Sequence, residues 1–456
     1  MIIMRMFIDR KEELKELMKI SKSKKPELVI IYGRRRVGKS RLLVEFTNRV
    51  NALYLLADLS KNILDILSTQ IGDKFVKFNS WEDFFEFIYK SEYDIVIIDE
   101  FQYLYNIDKA WLTILQRWWE KIREKNKKII LCGSIISTIY RISKGYGSAL
   151  YGRKTHEIQV KPLKFIYIMD FFPYYNSEEL IKAYSVLGGI PRYLEEFDPK
   201  LSVNENIREK ILDKTSFLYN EPMNLLFEEF RDPSPYVSIL LAIVQGYSRF
   251  NEIAGVSRIE SHKLPKYLLT LERVDLIEKE IPVTEKKIKV KTTRYRIRDN
   301  FYRFWFSFVF GNKSMIELGL EDDVFIKIKR ELNSYVGKCF EDLCREILFY
   351  VDIFKFTRVG RWWHRDKEID IIALNEHTKE ILFAECKWQN NINAARICKE
   401  LVEKSEYVDW NKNDRREYLA VFAKSFSKRI DTFKGRRVYC FDTDSIKKLL
   451  YLFQKW

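Results

Sequence analysis

The chain has 456 residues, a net charge of +15, 46% apolar residues and 32% charged residues. That length exceeds a single hydrophobic core and predicts about three domains, and the apolar content excludes a disordered chain. No apolar run reaches the roughly 18–20 residues of a membrane span, which excludes an α-helical membrane protein.

The N-terminal apolar run is followed at once by acidic residues, so no signal peptide is expected. Six scattered cysteines and four histidines lack zinc-finger spacing. They argue against a disulfide framework or a structural zinc site and for a reduced, cytoplasmic protein. The positive balance favours a polyanionic partner, nucleic acid first; the plainer alternative is general solubility.

In chain order, the first strong signal is "ELVIIYGRRRVGKSRLLVEF" at 27–46. "LVIIY" has the length of a buried strand, and "SRLLVEF" begins a helical pattern. Between them run Gly33, Arg34, Arg35, Arg36, Val37, Gly38, Lys39 and Ser40. This is the strand–loop–helix setting of a phosphate-binding loop. Its glycines let backbone N–H groups curl around phosphate, and the helix N-terminus adds a positive dipole end. The ligand expected is ATP with Mg²⁺, Lys39 reaching the β- and γ-phosphates and Ser40 the metal. Arg34, Arg35 and Arg36 are candidates to contact phosphate, another domain or nucleic acid.

The partner motif is "YDIVIIDEFQYL" at 93–104. Asp99 ends an apolar strand and suits the Mg²⁺ shell; Glu100 suits the base that activates the attacking water. The apolar run at 52–59 lies between the two motifs and is the extra strand expected of P-loop ATPases with a glutamate base. The strand at 127–134 ends in Ser134, which either senses the γ-phosphate or simply caps a turn. Arg153 either stabilises transition-state charge, in its own chain or in a neighbour within a homo-oligomer, or forms a surface salt bridge. Alternating strands and helices predict an α/β fold with a parallel sheet covered on both faces.

"FIDRKEEL", "YGRRRVGKS", "IIDEFQYL", "CGSIIS", "LYGR" and "LGGIPRYL" occur in this order over residues 7–194. Together they resemble the archaeal ATPase family, which belongs with the AAA+-related STAND-type signal-transduction ATPases. The resemblance implies a helical lid beside the nucleotide that carries Gly188, Gly189, Ile190 and Pro191. It also implies fusion to a winged helix and a nuclease-like C-terminal domain.

Residues 232–300 read as helix, helix, helix and hairpin, a winged-helix order. Pro265 fits only near the start of the third helix. The hairpin carries Lys286, Lys287, Lys289, Lys291, Arg294 and Arg296. Basic residues beside a candidate recognition helix suit phosphate contact with DNA; the alternative is a protein-contact spacer. The aromatic segment at 296–313 reads as core rather than as a base-stacking surface.

The segment 333–350 is helical, with Val336, Phe340, Leu343 and Ile347 as its apolar stripe and Glu341 at the stripe's edge. Glu341 is either a site carboxylate or an i,i+4 partner of Arg345. "IDIIAL" and "ILFAECKW" flank a loop at 375–380. A hairpin symmetric about that loop places Asp370 opposite Glu385, at the roughly 4.5–5.5 Å of a cross-strand pair. Glu385 and Lys387 share one face. Two carboxylates on a buried sheet repel unless a cation or proton intervenes. Mg²⁺ answers that, with Asp370 and Glu385 as ligands and Lys387 acting on water or phosphate; alternatively Lys387 alone neutralises a structural ion cluster. Glu341, Asp370 and Glu385-x-Lys387 in this order resemble the PD-(D/E)xK nuclease superfamily, with Ile369 where many members have proline.

The expected domains are a P-loop ATPase core at 1–160 and a helical lid at 161–230. A winged helix with aromatic connector follows at 231–313, then a restriction-endonuclease-like α/β domain at 314–456. The expected function is an ATP-hydrolysing protein acting on DNA with a Mg²⁺-dependent nuclease-like domain. The alternative is a nucleotide-driven regulatory switch that binds DNA or protein without cutting.

Overall fold

The computed structural model describes residues 7–73, 75–143, 150–287 and 292–454. Lys289 and Lys291 of the hairpin lie outside them. The chain forms two compact units, and two short stretches of the region expected as a lid, Ile190–Arg192 and Leu225–Arg231, group with the N-terminal one.

The first unit is built on five parallel strands: β1 (Glu27–Tyr32), β2 (Ala52–Leu56), β3 (Ile95–Asp99), β4 (Lys128–Gly133) and β5 (His156–Gln159). Their order is β2-β3-β4-β1-β5. Every residue of β1, β3 and β4 is buried. That explains their unbroken apolar runs, because a parallel sheet is covered by helices on both faces. The topology refines the sequence reading. It is β4 that separates β1 from β3, while β2, the run between the two motifs, pairs with β3 at the sheet's edge. The phosphate loop leaves the C-terminal end of β1 and enters the helix Lys39–Thr47, whose Leu42, Leu43 and Phe46 are buried.

In the second unit the helix Ser177–Leu187 packs against the aromatic helix Asn300–Phe308 and the long helix Glu321–Ile347. Asn300 Nδ2 donates to the Tyr184 carbonyl at 2.9 Å, and the Tyr335 hydroxyl donates to the Ser185 carbonyl at 3.0 Å. Phe301, Tyr302, Phe304, Trp305, Phe306 and Phe308 are all buried, so the aromatic segment is core. The long helix starts well before the expected segment, and its stripe runs through Ile328, Leu332, Val336, Phe340, Leu343 and Ile347, all buried. Three helices, Ser234–Val244, Phe250–Ser257 and Leu264–Arg273, precede an antiparallel hairpin of β6 (Ile277–Glu280) and β7 (Arg294–Ile297). Pro265 stands in the first turn of the third helix, where its missing N–H costs nothing.

The remaining strands are β8 (Arg358–His364), β9 (Lys367–Asn375), β10 (Glu380–Lys387), β11 (Ile392–Asn393), β12 (Arg416–Ala423), β13 (Phe426–Lys428), β14 (Thr432–Phe433) and β15 (Arg436–Phe441). Six of them form a mixed sheet in the order β14-β15-β12-β10-β9-β8. β10 and β12 run parallel, joined through the helix Ala394–Ser405, whose Ile397, Cys398 and Leu401 pack on Ile372, Phe383 and Val421. β9 and β10 are antiparallel, pairing Asn375 with Glu380 and so on to Ile371 with Ala384. This is the register expected from loop symmetry, and its next step sets Asp370 against Glu385.

Candidate functional site

Glycine is required at two places in the phosphate loop. A Cβ on Gly33 would lie 2.2 Å from the Val160 carbonyl oxygen, and Gly38 adopts φ 97°, a conformation that side chains oppose. Lys39 is 4% exposed, and its ammonium donates to the carbonyls of Gly33 at 2.9 Å and Arg34 at 3.1 Å. Burial pushes its pKa down, against the pull of Glu100 and Asp99. Arg10 braces the loop from outside by donating to the Val37 carbonyl at 2.7 Å. Pro191 reaches within 3.9 Å of a Cβ placed on Gly38.

The structure brings Ser40, Asp99, Glu100 and Ser134 to the ends of β1, β3 and β4. The Tyr54 hydroxyl, from β2, donates to Asp99 Oδ2 at 2.7 Å and also bonds Ser40. It therefore joins the two residues expected to hold the nucleotide's metal. Glu100 N–H donates to Asp99 Oδ1 at 2.9 Å. Glu100 Oε2 accepts two bonds, from the Ser134 hydroxyl at 2.6 Å and from Gln102 Nε2. Glu100 sits at φ 55°, a strained conformation of the kind that clusters at functional sites.

The three loop arginines separate. Arg35 pairs with Glu228 at 2.6 Å and donates to the Tyr103 hydroxyl. Arg34 is buried, close enough to Glu229 to lower that carboxyl's pKa against the burial that raises it. Arg36 takes φ 68°. Arg153 lies 3.6 Å from Glu120 and is partly exposed.

In the second unit Asp370 and Glu385 stand one step beyond the last recorded pair, Ile371 with Ala384, and the Glu385 charge acts on Asp370. Asp370 Oδ2 accepts the Cys386 N–H at 2.8 Å. Glu385 is 4% exposed and takes the Lys387 ammonium at 2.8 Å. A second lysine, Lys404 of the helix Ala394–Ser405, reaches both oxygens of Glu385 at 3.0 and 3.2 Å. Burial, then the Glu385 charge, pushes Asp370 up to about 6. Among the described residues no group of three or more His, Cys, Asp or Glu side chains is arranged to hold a metal. A cation here would rest on the Asp370–Glu385 pair.

Two sequence readings need correction. Glu341 does not pair with Arg345. It pairs with Arg361 of β8 at 2.6 Å, while Arg345 turns to Asp342 at 3.0 Å and Glu280 at 3.3 Å. The tertiary fold offers both groups better partners than the helix does. Nor are Arg294 and Arg296 free to meet phosphate. Arg294 stacks on Trp363, 4.5 Å from its ring centre, and pairs with Glu368 at 2.7 Å. Arg296 is enclosed by Glu278, Glu280 and Asp342. Asp342 gathers four guanidiniums, Arg296, Arg303, Arg345 and Arg361; they hold its carboxyl well below the usual range although burial acts the other way.

Sequence reasoning missed Arg10, Tyr54, Lys404 and Arg361. Arg10 stands inside the quoted "FIDR" and was its only available signal. The other three come from elements remote in sequence from the motifs they serve.

A family model described as an ATPase domain predominantly from Archaea matches residues 7–197. One described as archaea bacterial proteins of unknown function matches residues 305–399. An uncharacterized protein of Methanocaldococcus jannaschii is 36% identical over 436 residues, covering 93% of this chain and 97% of that one. An uncharacterized ATP-binding protein of the same organism is 51% identical over 41 residues, 9% of this chain and 70% of that one. Among solved structures, a Walker-type ATPase of Pyrococcus abyssi aligns with a TM-score of 0.48 and 23% identity, over 66% of this chain and 95% of that one. The ORC2 protein of Aeropyrum pernix aligns at 0.42 and 15%, over 70% and 95%. Among the described residues no helix is long and apolar enough to cross a membrane.

Proposed function

The chain belongs to the family of the long Methanocaldococcus relative and is a P-loop ATPase, and from that premise we propose that ATP turnover controls a second unit that binds DNA and hydrolyses its phosphodiester bonds. What supports the reading is the β9–β10 register, which carried one step past Ile371 and Ala384 sets Asp370 opposite Glu385, with burial and then the Glu385 charge raising Asp370 to about 6. Such a pair calls for a cation or a proton. Its hard oxygen donors fit Mg²⁺, which Asp370 and Glu385 would hold and which would supply charge neutralisation and an activated water. Lys387 and Lys404 lie beside Glu385, suited to hold the phosphate whose charge develops during hydrolysis. Glu341, whose carboxyl feels the Asp370 charge, is proposed to act beside this pair rather than as a third ligand. In the first unit Ser40 and Asp99, joined through Tyr54, suit the Mg²⁺ of the nucleotide, and Arg153 is proposed to act in the ATPase reaction in its own chain or a neighbour.

The three helices and hairpin before this cluster follow winged-helix order and are proposed as the DNA contact. Lys266, exposed in the first turn of the third helix, is proposed to take the phosphate-binding role in place of the hairpin arginines.

One observation favours a second reading. Lys387 and Lys404 already balance Glu385, and Arg361 balances Glu341. In that reading ATP switches a unit that binds DNA or protein without cutting.

Full-length protein incubated with plasmid and linear DNA, with and without ATP and with Mg²⁺ or Mn²⁺, separates the two. Cutting that disappears in Asp370→Ala while ATPase activity and DNA binding remain supports the nuclease. Absence of cutting in every nucleotide state with Mn²⁺ replaces it with the switch.

A further inference from the structure

Gln102 begins the helix Gln102–Ile107, two residues after the base Glu100, and is 0% exposed. Its Nε2 donates to Glu100 Oε2 and lies 3.4 Å from the Ser134 hydroxyl. Its other end is unusual, because Oε1 is buried without a hydrogen-bond partner. Buried polar atoms are nearly always satisfied, so an exception asks for a reason.

The surroundings supply one. Reversing the amide would press its oxygen against a Glu100 carboxylate oxygen, two acceptors with no proton between them. The observed orientation keeps the N–H on Glu100 at the expense of Oε1, which packs against Gly133. A Cβ at Gly133 would stand 2.3 Å from that oxygen, so the glycine of "CGS" leaves room for the amide. The side chain is thus fixed by what it donates to.

We propose that Gln102 is a positioning residue for ATP hydrolysis. With Ser134 it pins Oε2 of Glu100, leaving Oε1 to face the attacking water. In the step it serves, the water oxygen bonds to the γ-phosphorus and its proton passes to Glu100 Oε1. The bond from that phosphorus to the bridging oxygen breaks, and its electron pair leaves on the β-phosphate of ADP. A carboxylate held by one oxygen keeps the other in a fixed direction, and misaiming a base by about 1 Å costs on the order of 100-fold.

Gln102→Met keeps the volume and loses the donor. The proposal requires its kcat to fall about 10- to 100-fold, with the KM for ATP and the affinity for a non-hydrolysable ATP analogue unchanged. It also requires that, in single-turnover assays on a Glu100→Gln background, adding Gln102→Met causes no further loss, since residues acting as one unit are not additive. Cooperative thermal unfolding certifies the variant. If Gln102→Met does not fold, Gln102→Asn, whose amide falls one methylene short of Glu100, carries the same requirements. A wild-type kcat in the folded variant overturns the proposal. So does a raised KM at constant kcat, or an equal further loss in the Glu100→Gln background.

Discussion

Arg361 holds Glu341 at 2.6 Å, yet Glu341 is raised to about 7, because its burial outweighs the guanidinium and Asp370 adds to the rise. A carboxyl that remains partly protonated near neutrality beside an arginine is poised between two states. Its neighbour in sequence behaves oppositely, since Asp342 is held ionised by four arginines. Adjacent residues of one helix therefore carry a titrating group and a fixed charge.

Stability should fall as pH rises through neutrality. Asp370 titrates near 6, and Glu341 and Glu346 near 7, each above its ordinary value. Between pH 4 and 7 the folded chain therefore holds protons that the unfolded chain releases, and the stability they contribute is lost above about pH 7. Glu346 accepts the Phe165 N–H at 2.7 Å, an acceptor role that an amide keeps. Glu346→Gln should flatten this decline and stabilise the protein at pH 8 by on the order of 3 kcal/mol. Denaturant unfolding of both proteins at pH 5 and pH 8 measures it.

In the nucleotide site, Lys39→Ala should abolish ATP binding, because Lys39 is the buried ammonium that the phosphates would draw from the loop carbonyls. Glu100→Gln should bind ATP normally and lose turnover by at least about 100-fold, since only the base is lost. Calorimetric binding and phosphate release distinguish the two. Hydrolysis by Glu100→Gln at the wild-type rate would remove Glu100 from its role.

The arginine cluster should be strongly structural. Asp342→Ala leaves Arg296 and Arg303 without their common partner, and breaking a buried pair from one side costs roughly 3–5 kcal/mol. A destabilisation below about 1 kcal/mol in urea unfolding, the ordinary range of a surface pair, would show that Glu278 and Glu280 suffice.

The hairpin divides into two kinds of basic residue. Lys286 is exposed, with Glu376 no nearer than 3.8 Å, whereas Arg296 is enclosed. Gln at Lys286 and Lys287 should leave the melting temperature unchanged and lower the salt slope of DNA binding by about 0.9 for each phosphate that a lysine no longer neutralises. Arg296→Gln should instead destabilise the fold. Titrations of DNA at several salt concentrations read the first effect, and thermal melts the second.

Legibility followed distance along the chain. The phosphate loop could be read because strand, loop and helix are contiguous. The Asp370–Glu385 pairing could be read because a short symmetric hairpin leaves its register little freedom. The choice of partner for Arg345 could not, since Glu341 and Asp342 are both within helical reach and the decision was made by β8 and the hairpin. Tyr54 gave no local sign of its bond to Asp99, because a tyrosine in an apolar strand reads as packing. Lys404 was one cation among many on a surface-facing helix, and only the crossover from β10 to β12 sets it over Glu385.

The ring of charge around Asp342 also bears on where this chain can be divided. Its acid lies on the helix Glu321–Ile347, but two of its arginines, Arg296 and Arg303, lie before residue 314. A protein cut at that point would inherit Asp342, Arg345 and Arg361 without the counter-charges that complete them, and would uncover the face that the aromatic helix seals. Inheritance should obey the same constraint. Recombination that exchanges the six-stranded module should carry the hairpin and the aromatic helix with it, or arrive with compensating changes at position 342.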